Sequence, residues 1–383
     1  MSTLVRAAVL ETTGEAAVVQ PLELADPRAG EVRVRMQASG VCHSDLHVRD
    51  GEWARPTPMA MGHEGAGVVD AVGPGVRSLR VGQPVALSWL VPCGTCRACR
   101  AGRPWACPDS PSFRHVLPDG TAALHRPAAW TPGRAAAATN GPETVLSYCG
   151  IATMSEATVV PEAAAIPIPE GVDPAVAALI GCCVSTGVGA VLKTAAVEPG
   201  ASVAVIGLGG VGLACVMGAA LAGASRIVAI DRVPAKLAVA LEVGATDGLL
   251  AADDPAETLA ALRDLTGGGP DYAFEAIGLP STVELAIASL PVGGTAVLVG
   301  MTPLGARASF DVYPFVDESR RILGSNYGFA DPAVDFPRYA QWHLDGRLRI
   351  ERLVDRRIRL DDLEDAFAAM RRGEYTRQVI VFD

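Results

Sequence analysis

Lysine is nearly missing from this 383-residue chain, which carries only Lys193 and Lys236, and acidic side chains outnumber basic ones to leave a formal charge of −10. A surface without a basic excess offers little to a nucleic acid or an anionic membrane, so neither is expected as a partner. Aromatics are scarce too, at five tryptophans, six tyrosines and eight phenylalanines. Any local concentration of them is therefore informative. Nothing at Met1-Ser2-Thr3-Leu4-Val5-Arg6 resembles a secretory signal, and with free thiols the expected compartment is a reducing cytosol. No unbroken apolar run of membrane length stands out either. The stretch from Val203 to Ala224 comes closest, but six glycines and a strand-to-helix punctuation break it. Half the chain is hydrophobic, which is enough for two substantial cores.

Nine cysteines are present, and four of them, Cys93, Cys96, Cys99 and Cys107, form a C-x2-C-x2-C-x7-C run. Pro92, Gly94, Gly102, Pro104 and Pro108 supply the turns that bring four thiolates round one tetrahedral ion. A closed four-thiolate zinc site leaves no open position and is expected to be structural. The competing reading, a disulfide cluster, suits small secreted chains. Among the remaining residues, Cys42 sits on a turn after an alternating strand pattern, His63 stands beside the carboxylate of Glu64, and Cys182 and Cys183 follow Gly181. Two thiolates, one imidazole and a water would make an open, catalytic zinc site. Taken singly, each is as readily a small core residue or a hydrogen-bonded scaffold histidine.

The apolar strand Val203-Ala204-Val205-Ile206 runs directly into Gly207-x-Gly209-Gly210-Val211-Gly212 and an alanine-rich helix. This is the dinucleotide fingerprint in its proper context: the first glycine turns, the second admits the pyrophosphate, and the third lets the helix pack on the strand. Asp231 ends the next strand, nineteen residues after Gly212. Its carboxylate would accept from ribose hydroxyls and repel a 2′-phosphate, favouring NAD over NADP, although Arg232 beside it adds ambiguity.

Together these motifs, in this order, resemble the zinc-containing medium-chain alcohol dehydrogenases in the long form with two zinc ions, and Gly373-Glu374-Tyr375-Thr376-Arg377 extends the likeness to the C-terminus. The resemblance implies Cys42, His63 and Cys182 as catalytic zinc ligands, with Cys183 as a packing residue. It implies that Asp45 orients the ligand histidine and that Glu64 is an outer carboxylate. It further implies hydride transfer between an alcohol and NAD at the zinc, with the proton leaving through Ser44 and His47. A plain exposed histidine is the alternative for His47. On the coenzyme, the resemblance implies contacts from Lys236, Arg377, Thr186, Val211, Val299 and Met301. His43 replaces an arginine that many relatives use on the pyrophosphate, so looser coenzyme binding is expected.

Positions resembling the family's pocket carry Trp53, Trp89, Tyr148, Cys149 and Met301. They suggest an apolar, flat-walled channel for aromatic, allylic or terpenoid primary alcohols, unless the tryptophans simply fill core. A related branch oxidises the adduct of formaldehyde with a low-molecular-weight thiol; Arg49, Arg55 and Arg114 lie near the pocket in sequence without forming a clear basic cluster. A more remote alternative is a non-catalytic dinucleotide-binding protein of the same fold. The expected fold class is α/β, a Rossmann doubly wound parallel sheet inserted in a GroES-like β-rich catalytic domain. The expected boundaries are 1–183 for the catalytic domain, 184–325 for the coenzyme domain and 326–383 for the return. Asp361 is a plausible cap for a C-terminal helix. Residues 109–147 read as a surface loop, least regular over 126–140; the resemblance implies that the equivalent loop borders the substrate entrance, with a role in selectivity or assembly, and a plain solvent-exposed insertion is the alternative. The resemblance implies a homodimer, with a tetramer as the second option, paired through an edge strand that Gly294–Gly300 and the following Met301-Thr302-Pro303 would supply.

Overall fold

A computed structural model describes residues 2–127 and 143–383. Three sheets organise it. Strand Thr3–Leu10 pairs with Val18–Leu24 and Met59–Ala60, and with Leu124–His125 and Thr144–Ser147 they close a small barrel. The second sheet is centred on the long strand Glu31–Val41, which pairs antiparallel with Glu64–Val72, Ala157–Pro161 and the C-terminal strand Gln378–Val381. That last pairing, Gln378 opposite Val41, ties the end of the chain to the strand that delivers Cys42. The third sheet has six parallel strands in the order 247–250, 226–231, 202–206, 272–275, 295–298, 321–324. Val203, Ala204, Val205, Val228 and Phe274 have no exposed surface, as expected for parallel strands covered by helices on both faces. The expected α/β architecture is thus present, with the parallel sheet inserted in a β-rich unit.

Between the units runs a helix of 21 residues, Pro174–Thr194, started by Asp173, whose carboxylate accepts from the Ala175 N–H. It is apolar all round because both sides are packed: one core joins Ala38, Ala66 and Ala86 of the second sheet to Leu179, Ile180 and Val184, and these to Val203, Leu213 and Phe274. Each large side chain buried there contributes about 1.5–3 kcal/mol. By length and composition this helix, rather than the 203–224 stretch, is the segment that could cross a membrane, yet 89% of its apolar window is buried inside the fold. Val203–Ala224 instead resolves into the strand Ser202–Ile206 and the helix Gly210–Leu221.

Three sequence expectations need correction. Gly294–Gly300 does not form an edge: its strand Thr295–Leu298 is flanked on both sides, and Arg321–Gly324 is the edge of the parallel sheet. Asp361 does not cap the C-terminal helix; it pairs with Arg6, while Asp362 accepts from the Arg359 N–H before helix Leu363–Arg371 begins. Residues 109–127 hold a 3-10 turn, Pro111–Arg114, and the strand Leu124–His125, so only part of the anticipated loop is irregular. Most of the 126–140 stretch lies outside the described residues.

Candidate functional site

The long strand ends at Val41, and Cys42 starts the short helix His43–Arg49. One carboxylate orders this corner. Asp45, fully buried, accepts from the Cys42 N–H at 3.0 Å and faces His63 Nδ1 at 3.0 Å. With Nδ1 committed to Asp45, Nε2 is the ring nitrogen left for a metal or a proton. Cys182 arrives from the central helix, in a π-helical turn, Ile180–Val184, where the Ser185 hydroxyl donates to the Ile180 carbonyl at 2.7 Å. The extra residue in such a turn re-aims the side chains it carries.

Ligand atoms of Cys42, His63, Glu64 and Cys182 all lie within 4.8 Å of one another, and all four residues are buried. The Cys42 thiol is pushed well below its ordinary pKa by a hydrogen bond from Cys182, helped by the charges of Arg377 and His63, while Cys182 is pushed up. Two thiols are thus sharing a proton that a cation would displace. Two sulfurs and an imidazole nitrogen suit zinc, with a fourth position left for a small ligand. Cys183 points elsewhere, its sulfur donating to the Leu179 carbonyl at 3.6 Å.

The fourth member of this cluster, Glu64, is fully buried and ion-paired with Arg377, while its Oε2 has no partner among the described residues. Burial raises the carboxyl to about 7, against the pull of Arg377. Gly40 makes room for it, since a Cβ there would stand 2.0 Å from Oε2. Arg377 also donates to the Val41 carbonyl at 3.2 Å, and its unpaired Nε looks toward Gly210.

The second cluster is Cys93, Cys96, Cys99 and Cys107, again within 4.8 Å of one another. Backbone N–H groups point at the sulfurs, Cys96 N to Cys93 Sγ at 3.3 Å, Cys93 N to Cys107 Sγ at 3.3 Å and Cys99 N to Cys96 Sγ at 3.4 Å. Donors arranged so favour thiolates over thiols, and those on Cys93 hold it down to about 6. None of the nine cysteines is in a disulfide. Trp105 of this lobe stacks on Phe329 at 4.8 Å, and neighbouring Tyr327 donates to the Gly181 carbonyl at 2.7 Å.

A cavity of about 660 Å³ connects the first cluster to the parallel sheet. On the sheet side it is lined by Gly209, Gly210, Val211, Lys236, Val299 and Met301, with His43 and Thr186 facing them. Gly207 turns at φ +92°, and a Cβ on Gly212 would lie 1.8 Å from the Gly207 carbonyl, whereas Gly209 has open space before it. That combination leaves an open backbone cradle of the kind a phosphate group can approach closely. Asp231 accepts from the Leu208 and Val233 N–H groups at 2.8 and 3.0 Å, which fixes its carboxylate at the strand end. Arg232 is exposed beside it and, like Asp231, Gly207 and Gly212, is outside the cavity lining.

The other half of the cavity is walled by Trp53, Trp89, Tyr148 and Cys149, with Ser44 and His47 at its edge. His47 stacks on Trp53 at 4.5 Å and meets the Glu52 carboxylate. Tyr148 sets its edge against His63 at 5.4 Å. Trp89 leans on Tyr327 at 4.3 Å. Of the three nearby arginines, Arg55 lines the cavity, whereas Arg49 is paired with Glu364 and Asp50. Phe113 and His115 also line it; no sequence signal marked them individually, but they belong to the 109–147 stretch whose equivalent in relatives the resemblance places at the substrate entrance.

Residues 28–170 match the alcohol dehydrogenase GroES-like domain family and residues 210–343 the zinc-binding dehydrogenase family. An S-(hydroxymethyl)glutathione dehydrogenase from Synechocystis is 35% identical over 379 residues, covering 98% of this chain and 99% of that protein. A crystal structure titled alcohol dehydrogenase zinc-binding domain protein, from Burkholderia ambifaria, shares 35% identity at a TM-score of 0.91, with 100% of both chains covered. The benzyl alcohol dehydrogenase of Acinetobacter calcoaceticus shares 29% at 0.89, also over 100% of both chains.

Proposed function

The chain belongs to the zinc-containing medium-chain alcohol dehydrogenases, NAD-dependent oxidoreductases, and from that premise we propose that it interconverts bulky, apolar primary alcohols and their aldehydes. Its catalytic zinc would be held by Cys42, His63 and Cys182 and its structural zinc by Cys93, Cys96, Cys99 and Cys107. When bound, zinc supplies a Lewis acid for the substrate hydroxyl and NAD a hydride acceptor. The protein's own side chains do the rest. Asp45 holds His63 in the tautomer that presents Nε2. Ser44 would accept the hydroxyl proton while giving up its own toward the nicotinamide ribose, from which His47, one helical turn on, would pass a proton to solvent. Glu64 and Arg377 form a buried ion pair beside the metal ligands, and the positive charge of Arg377 helps the Cys42 sulfur to be a thiolate.

The observation that carries the substrate reading is the wall of Trp53, Trp89 and Tyr148 in the cavity that reaches the metal cluster, three of the chain's eleven tryptophans and tyrosines. Such flat apolar walls favour an aryl or allylic tail and cramp a secondary carbinol. The thiol-adduct reading is supported by the Synechocystis relative and by Arg55, the one cavity-lining arginine besides Arg377 among the described residues. Initial rates of NAD reduction by the zinc-loaded protein separate them. Turnover of benzyl alcohol and geraniol without thiol is expected, well above ethanol. Activity with formaldehyde only when thiol is added would move the protein to the adduct branch, and silence on every substrate would favour a non-catalytic role.

Domain limits of 1–183, 184–325 and 326–383 are part of the same reading, as is a homodimer. The edge strand Arg321–Gly324 and the exposed Val312, Tyr313 and Val316 of the preceding helix support pairing there. Light scattering giving a monomer mass would refute it.

A further inference from the structure

His115 has no part in metal, coenzyme or proton relay, yet it is placed with unusual care. It adopts a left-handed backbone conformation, φ 60°, uncommon for a residue with a side chain. Its N–H donates to the Ser112 carbonyl at 3.2 Å, and its carbonyl accepts from the Ser147 N–H at 3.0 Å. Its Nδ1 accepts from the Cys149 N–H at 3.1 Å. A backbone N–H can only donate, so Nδ1 carries the lone pair and the proton of the neutral ring sits on Nε2. Burial, with the nearby positive charge of Arg55, lowers the ring's pKa to about 4, so it stays neutral at physiological pH.

Two other donors along this half of the cavity are spoken for, whereas the buried Trp89 Nε1 has no partner among the described residues. Trp53 Nε1 donates to the Thr302 carbonyl at 3.2 Å, and the Tyr148 hydroxyl faces the Ser44 carbonyl at 3.5 Å. The Ser112 hydroxyl oxygen accepts from Val91 N–H at 3.3 Å. No partner for His115 Nε2 is found among the described residues. His115 therefore brings a fixed N–H donor to a largely apolar wall that also holds Trp89 Nε1. Tyr148 packs against both histidines, its ring 5.4 Å from that of His63 and 5.7 Å from that of His115. The donor is thus linked to the metal cluster through a single intervening ring.

Resting on the bulky-alcohol reading above, we propose that His115 is a specificity-determining residue whose Nε2–H hydrogen-bonds an oxygen at the far end of the substrate. The preferred substrates are then aryl primary alcohols bearing an ether or phenolic oxygen on the ring. A site built to donate a hydrogen bond discriminates against the analogue that lacks the acceptor, because its own buried donor is left unpaired.

The test compares kcat/KM for 4-methoxybenzyl and 4-ethylbenzyl alcohol, and for the 3-substituted pair, in the wild type, His115→Phe and His115→Asn. Phenylalanine keeps a ring and loses both nitrogens. Asparagine tolerates the left-handed backbone and keeps an acceptor for the Cys149 N–H, but is too short to reach the cavity. The ratio within one preparation does not depend on how much of it is folded. A methoxy-over-ethyl preference about three- to tenfold larger in the wild type than in both variants, in at least one series, is expected. Equal ratios in all three proteins, with benzylic alcohols turned over, would overturn the role of His115 alone. If the wild type turned over no benzylic alcohol but did oxidise formaldehyde with thiol, the substrate reading would fall and this proposal with it.

Discussion

Replacing Arg377 by methionine should be among the most damaging single changes outside the metal ligands. Methionine keeps much of the stem's volume and removes only the guanidinium. What it leaves behind is Glu64, without exposed surface, with Oε1 stripped of its ion-pair partner and Oε2 already unpartnered. Breaking a buried pair by removing one member costs up to about 3–5 kcal/mol when the survivor stays charged; Glu64, already raised to about 7 by burial, would escape part of that cost by taking up a proton near neutral pH. Zinc at the neighbouring cluster would share in neutralising the carboxylate, so the lower end of that range is expected for the metal-loaded protein. Urea unfolding followed by tryptophan fluorescence, run as a cycle with Glu64→Gln, isolates the pair. The double variant should recover a large part of the loss, giving a coupling of about 2 kcal/mol or more. A single-variant loss under about 0.5 kcal/mol, or two losses that simply add, would mean that the two side chains are not energetically linked and that this account of the buried pair is wrong.

The two cysteine clusters should separate cleanly by mutation. Cys182→Ala is expected to lose turnover and one zinc ion while keeping most of its stability, whereas Cys96→Ala should lose the other ion and stability on the order of several kcal/mol; metal analysis, NAD-reduction rates and denaturation of both variants check this, and wild-type activity in Cys182→Ala would remove it from the site. His115 predicts a pH effect of defined sign. Its folded pKa, about 4, lies below the ordinary 6.5, so its contribution to stability is greatest above pH 6.5, falls as the pH drops toward 4 and changes no further below that. Between those limits the wild type should lose up to about 3 kcal/mol more than His115→Phe. Parallel acid-titration slopes for the two proteins would contradict it.

Which residues gather at the site was readable from the sequence wherever the chemistry is local. The four-cysteine lobe and the glycine fingerprint each lie within one turn-rich segment, so spacing alone constrains what they can hold. Cys42, His63 and Cys182 are far apart in the chain, and a family resemblance was needed to bring them together. His115 escaped because its importance arises from a backbone contact with Cys149, 34 residues away, and from a left-handed conformation that histidine's identity does not announce. The edge strand was misplaced for a similar reason: Thr295–Leu298 and Arg321–Gly324 have much the same length, and only the pairing decides which is flanked. Asp361 looked like a cap by local rules, but Arg6, 355 residues away, claims it. The apolar helix Pro174–Thr194 lacked a helical stripe because it is packed on both sides, and periodicity finds only helices with one dry face.

That helix also sets the terms on which this enzyme can be taken apart. A fragment carrying only the parallel sheet must either include Pro174–Thr194 and expose the face meant for Ala38, Ala66 and Ala86, or omit it and uncover Leu213 and Phe274. Either cut leaves a greasy, greater-than-membrane-length surface in search of cover. Recombining halves from related enzymes therefore amounts to transplanting one shared beam, and a chimera will be soluble only when the beam and both walls come from compatible parents.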